Sequence, residues 1–490
     1  MNTQIIKAVI YITLIGFVVS CKKNFLEVVP LGSQVAATTD DYDKLMNSPD
    51  FYFYSYDAGW AEPVSMGDDV AAEAPYLNQG SAQMQRLFQW ADDIYQLNDG
   101  MPGDLQLLLT NMYTCNKIIN EVLRSSGGTD SQKISLQVEA MATRAWLNFQ
   151  FINFYGKPYL SSTASSDPGF PIITSADVTI SGYTRASVQA VYDFIIKDLT
   201  AAIVALPVKA SIQTRMSRPA AEGLLGKVYL FMGRYSDALP MLNAAFSDIT
   251  SSGAPVLYDY NQTFGPGGSF LPIDSYSGPN SPGNNYQDLT EDIVSKVFGN
   301  GPNGNMLGNN GLVITPATAA LYDASDWRLQ FYSANNLDGS PNPGGRLRKY
   351  GVSYSRFGLQ LPELYLLRAE CKTRLNDLAG AKVDLETLRK NRMPVADALV
   401  PAAVANDQTA LIKFTIDERI REFAAEGYRW FDMRRLSVDP LFSGQSFTHT
   451  LYNDDASNST AVYTLKQPNR LVLRLAPIII NANPGMPNNP

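Results

Sequence analysis

Apolar residues recur at helical spacing along most of the chain. Leu108, Met112, Cys115, Ile119 and Val122 fall on one face of a predicted helix. Val138, Met141, Ala142, Ala145, Phe149 and Ile152 mark another, which Gly156 and Pro158 should end. Leu364, Leu367, Cys371 and Leu375 share a third stripe. Cys115 and Cys371 are therefore expected to be small core side chains, as unpaired cysteines commonly are. Between Ala221 and Phe246, the residues Leu225-Gly226, Tyr229, Gly233, Ala238, Leu242 and Ala245 keep tetratricopeptide spacing. Small residues at facing positions let two antiparallel helices approach, Tyr229 and Leu242 fill the groove, and Gly233 supplies the left-handed residue that ends the first helix. A looser unit runs from Leu361 to Arg392, with Ala369, Ala381, Leu385 and Leu388 and a turn at Asn376-Asp377. One such pair cannot bury its apolar face alone, so several should stack. The pattern predicts a mostly α fold, a tetratricopeptide-like α-α superhelical scaffold with repeats at about 104–160, 187–246 and 357–436.

Elsewhere the pattern changes. Residues 51–95 are rich in aromatics and acids. Gly, Asn, Ser and Pro dominate about 258–312, interrupted by Phe264, Phe270, Tyr276, Tyr286 and Phe298. Such composition suits a linker or an ordered loop region; the interleaved aromatics favour ordered, irregular loops that carry binding. The tail 481–490 is Asn/Pro-rich and should be extended.

At the amino end, Lys7 precedes an apolar run from Ala8 to Val19. The run is short of the roughly 20 residues that span a bilayer as a helix, and it suits a cleaved secretion signal over 1–20. Val18-Val19-Ser20-Cys21 resembles a bacterial lipobox, which makes Cys21 the expected lipidation site and 21–490 a single mature domain. Each acyl methylene inserted into a membrane contributes about 0.8 kcal/mol, so two or more chains anchor stably. Lys22-Lys23 follow directly, and they leave the leaflet of display open.

Composition narrows the chemistry. A net charge of -8 argues against nucleic acid, which needs a basic surface. Three Cys are too few for a disulfide framework. One His, His449 in a Ser/Thr-rich stretch read as loop, argues against multi-histidine metal sites and weakens any catalytic triad. No cofactor and no metal are expected.

The stretch from Asp417 to Leu436 reads DERIREFAAEGYRWFDMRRL. Ile420, Phe423, Ala424 and Gly427 trace one helical face, and Glu418, Arg421, Glu422, Glu426 and Arg429 can pair at three- and four-residue spacing. Paired carboxylates could serve glycoside hydrolysis. A neighbouring Arg would keep each acid ionised, however, whereas a general acid needs the opposite shift. Structural ion pairs are the favoured reading.

This signature resembles that of the SusD/RagB family of outer-membrane nutrient-binding lipoproteins. Glu426-Gly427-Tyr428-Arg429-Trp430-Phe431-Asp432-Met433-Arg434-Arg435 fits the family pattern EG-x-RW-x-D-x-RR at every fixed position. Tyr113 to Val122, Phe154-Tyr155-Gly156-Lys157-Pro158-Tyr159-Leu160, Asp326-Trp327-Arg328 and Lys349-Tyr350 look like further family landmarks. The chain departs from the family's common terminal LPIP with Arg474-Leu475-Ala476-Pro477. The resemblance implies a non-enzymatic, lipid-anchored outer-membrane protein. Its implied role is to bind a glycan or oligosaccharide, with peptide as a further possibility, and to pass it to a SusC-like TonB-dependent barrel transporter. Such a site needs exposed aromatic rings with polar groups around them. The candidates are Trp60, Asp69, Tyr76 and Trp90 from the early segment and Phe264, Tyr276 and Tyr286 from the loops; Trp327 and Trp430 are assigned to the core. Two alternatives stand beside this: a secreted glycoside hydrolase using Asp68-Asp69 and Glu73, and a helical repeat scaffold that binds protein alone.

Overall fold

The computed structural model describes residues 36–54, 61–299, 311–336, 338–350, 354–453 and 460–490. The expected signal segment at 1–20, Cys21 and Trp60 lie outside the described residues. Long helices form within the three predicted repeat regions: α1 (Gly103–Glu121), α2 (Asp130–Tyr155), α3 (Val188–Ala205), α4 (Arg218–Phe231), α5 (Tyr235–Ser252), α6 (Leu361–Arg374), α7 (Leu378–Lys390), α8 (Gln408–Phe423) and α9 (Tyr428–Leu436). The molecule is mostly helical, and each of α1 to α6 packs on the next, while α6 also packs on α7 and α8. Among the described residues, no helix is long and apolar enough to cross a membrane.

Local chemistry explains the helix ends. Thr129 and Gln132 form a reciprocal capping box that starts α2, satisfying two of its free backbone N–H groups. Between α4 and α5 the chain turns at Gly233, with φ +71°. A Cβ placed on Gly226 would stand 2.6 Å from Leu242 Cδ2, so this glycine sets how closely α4 and α5 approach. Asn376, at φ +66°, turns the chain from α6 into α7. Cys115 and Cys371 are buried in the apolar core, as their stripes predicted. The second half of α2 goes beyond its stripe: from Ala142 to Tyr155 every residue is buried, because α1 and α3 flank it.

The periodicity gave no sign of the sheets. Six short strands pair in the order Thr460–Thr464, Thr448–Tyr452, Val70–Glu73, Leu312–Ile314, Arg348–Lys349 and Tyr332–Ser333. This sheet joins the early segment to the last part of the chain through the parallel pairs Leu451 with Ala72 and Tyr452 with Glu73. His449, read from sequence as a loop residue, lies on one of these strands and is fully buried. Its imidazole stacks between Trp90 and Phe88, with ring centroids 3.8 and 4.5 Å away. A second sheet brings together Phe53–Tyr54, Val297–Gly299 and Tyr354–Arg356.

Candidate functional site

The signature is two helices and a strained corner, not the single helical face expected from Ile420 to Gly427. α8 stops at Phe423, Ala425 takes φ +59° and Gly427 φ +92°, and α9 then begins. Asp69 holds the corner by accepting the Ala425 backbone N–H at 2.8 Å. Burial pushes the Asp69 carboxyl up to about 6, with the Ala425 N–H opposing that shift.

The ion pairs are mostly long-range. Arg328 contacts Asp326 at 2.7 Å, Glu418 at 2.8 Å and Glu422 at 2.9 Å. Arg392 bridges Glu422 and Glu291, each at 2.8 Å. Lys349 pairs with Glu426, and Arg429 with Asp68. Of the pairs expected within the helix, Glu418 with Arg421 forms, at 2.5 Å. Burial would raise the Glu418 pKa, but the guanidiniums of Arg328, Arg421 and Arg389 outweigh it and hold the carboxyl below the usual range. Asp432 is held low in the same way, against burial, by Arg419 and Arg435. Arg435 also reaches Glu370 at 2.8 Å. Among the described residues Arg434 faces no carboxylate: it donates to the Gly156 carbonyl, and burial pulls its pKa down to about 9. Trp430 is fully buried, so the signature residues build scaffold.

Over this wall opens a cleft of about 110 Å³. The loop from Ser277 to Asn284 forms one side, Glu291, Glu422 and Glu426 line its polar face, and Tyr350, Tyr354 and Gln360 contribute neutral groups. Gly278, at φ +79°, lets the loop cross directly above Tyr350, where a Cβ would meet the Tyr350 Cβ at 2.4 Å. Tyr354 connects the cleft to an aromatic trio. Its ring lies 5.4 Å from Tyr286 and 6.0 Å from Phe53, and Phe53 and Tyr286 are 5.0 Å apart. Strand pairing fixes the trio, since Phe53 pairs with Val297 and Tyr354 with Gly299. Nearby, the Arg348 guanidinium sits 5.2 Å above the Tyr350 ring and within electrostatic range of Tyr76.

The structure thus brings some of the candidates together and withdraws others. Tyr286 and Tyr276 are exposed, and Tyr276 follows Ser275, whose carbonyl accepts a hydrogen bond from Arg348. Tyr76 is half-buried, within electrostatic range of the same Arg348. Trp90 is not a platform: it is buried, stacked on His449, and donates its indole N–H to Met66. Phe264 is buried among Tyr260, Phe270, Trp327 and Phe331. Asp69 is spent on the corner at Ala425. Trp327, assigned to the core, is only half-buried and stacks on Phe264. The acids considered for hydrolysis are all engaged, Asp68 by Arg429, Asp69 by Ala425 and Glu73 by Arg346. Phe53, Tyr350 and Tyr354 were missed as site residues; the sole signal was the high Tyr content of their surroundings.

The comparisons with known proteins bear on the family and the fold. A family model described as "Starch-binding associating with outer membrane" matches residues 51–230, and the SusD family model matches residues 343–490. No curated protein matches the sequence. Among solved structures, the chain resembles a putative sugar binding protein from Bacteroides vulgatus, with TM-score 0.70 and 20% identity over 94% of this chain and 99% of that one. It also resembles a SusD superfamily protein from Bacteroides thetaiotaomicron, with TM-score 0.70 and 17% identity over 92% of this chain and 100% of that one. A SusD-like carbohydrate binding protein from Bacteroides vulgatus gives TM-score 0.66 at 16% identity, over 92% and 97% of the two chains. The chain belongs to the SusD/RagB family.

Proposed function

We propose that this protein captures a glycan or oligosaccharide at the outer membrane and delivers it to a SusC-like TonB-dependent transporter, acting by binding without catalysis. The observation that carries the reading is the continuous surface formed by the Phe53, Tyr286 and Tyr354 rings and the polar cleft beside them. Aromatic rings cover the apolar faces of sugars, and fixed polar groups meet their hydroxyls. Structurally similar proteins described as sugar binding and carbohydrate binding support the same reading. Lipidation at Cys21 would keep the protein beside its transporter. Titration of the full chain against a glycan panel tests the proposal, and Tyr286→Ala and Tyr354→Ala should each weaken binding at least tenfold. Affinity unchanged in both variants would remove the site from this surface. Fatty-acid labelling that persists in Cys21→Ala would remove the anchor.

A further inference from the structure

The charge balance of the cleft says something about its ligand; this rests on the glycan-binding reading above. Arg328, Lys349, Arg356 and Arg421 line the cleft, yet each is committed. Arg328 is held by Asp326, Glu418 and Glu422. Arg356 reaches Asp292 at 2.7 Å and donates to the carbonyls of Pro282 and Asn285. Lys349 pairs with Glu426 and donates to the Ala424 carbonyl, and Arg421 is bound to Glu418 and the Leu321 carbonyl. The lining carboxylates are equally occupied, because Glu291 and Glu422 meet on Arg392, while Arg389 holds Glu418 from behind. Four cations (Arg328, Arg389, Arg392, Arg421) and four carboxylates (Glu291, Asp326, Glu418, Glu422) form one network, and Lys349 with Glu426 and Arg356 with Asp292 add two separate pairs, so six cations are matched by six carboxylates. Asp323, 3.9 Å from Arg389, is largely exposed and screened by solvent.

Apart from the buried Nε of the salt-bridged Arg356, what the cleft leaves available is uncharged. The hydroxyls of Tyr350 and Tyr354 and the Gln360 Oε1 keep no hydrogen bond among the described residues, while Gln360 Nε2 is taken by the Arg356 carbonyl and the Tyr428 hydroxyl. We propose that the cleft selects a neutral, hydroxyl-rich sugar and discriminates against chains carrying carboxylate, sulfate or ammonium groups. A charged substituent entering here would lose its hydration and find no uncommitted opposite charge, the situation in which burying an ion is most costly.

Binding of the full chain to an array of neutral, uronic-acid, sulfated, sialylated and glucosamine chains tests this. The expected result is at least a tenfold preference for neutral chains over charged ones of equal length. Equal or tighter binding of charged chains would overturn the inference and leave glycan binding intact. Binding to no chain of any kind would overturn the glycan reading itself, and this inference with it. The variant Glu426→Gln releases Lys349 from its partner and should shift preference toward uronic-acid chains by at least tenfold. A folded variant whose preference is unmoved would also count against the proposal, and should it fail to fold, the array on the native chain decides alone.

Discussion

Asp69 accepts the backbone N–H of Ala425 at 2.8 Å across 356 residues of sequence. Ala425 occupies the left-handed region, at roughly 1–2 kcal/mol for a residue with a side chain, so a partner fixed elsewhere must hold it. Burial raises the Asp69 pKa in the folded protein to about 6. The folded state therefore binds this proton more tightly than the unfolded chain, and the contribution from Asp69 falls as pH rises from about 4 through about 6. Asp69→Asn keeps an acceptor and cannot ionise. Relative to the native protein it should gain stability between pH 4 and 7, by up to about 3 kcal/mol. Urea unfolding across that range checks this, and a pH-independent difference would contradict it.

Glu418 and Asp432 carry the opposite sign. Their pKa values are held low in the fold by guanidiniums, so their contribution is present above about pH 4 and is lost as pH falls further. Glu418→Gln would leave Arg328, Arg389 and Arg421 without a shared carboxylate, at a cost of about 3–5 kcal/mol at pH 7. Denaturation of both proteins at pH 7 and pH 3 should show the deficit shrinking in acid, because below about pH 4 Glu418 takes up a proton in the unfolded chain while the folded state keeps it ionised.

Gly226→Ala places a methyl group where Leu242 now sits. Relief requires α4 and α5 to separate, and overpacking of this kind costs about 1–3 kcal/mol. The double variant Gly226→Ala with Leu242→Ala should lose less than the sum of its parts. A strictly additive result in a double-mutant cycle would mean the two residues do not compete for the same space.

Trp90 and Tyr286 should separate cleanly by assay. Trp90→Ala empties a buried, stacked position and should cost about 3–5 kcal/mol of stability. Tyr286→Ala, on an exposed ring, should leave the thermal midpoint nearly unchanged while reducing glycan affinity. Thermal denaturation and calorimetric titration of the same samples would show whether the two effects exchange places.

The helical scaffold was legible because its information is local. Gly226, Ala238 and Leu242 lie within one repeat, and their spacing alone describes how α4 and α5 meet. The corner at Ala425 was not legible, since the residue that stabilises it stands in another part of the sequence. The six-stranded sheet escaped for a related reason: its strands are two to five residues long, too short for alternation to show against background. In the site, Tyr276 and Tyr286 could be picked out by the Gly- and Asn-rich sequence around them. Trp90 and Phe264 offered the same aromatic chemistry in sequence as these tyrosines but are buried in the fold. Only the neighbours His449 and Trp327, distant in the chain, tell them apart.

The parallel pairing of Val70–Glu73 with Thr448–Tyr452 also orders events during synthesis. The chain emerges from its amino end, so one neighbour of this early strand reaches it only after some 450 residues have appeared. Contacts of such long sequence separation form slowly, and until they do, apolar surface stays open to aggregation. The helical repeats can assemble as they arrive, but the early segment has to wait. A chaperone that shields the nascent early segment would therefore matter more to the yield of this protein than one acting on the repeats.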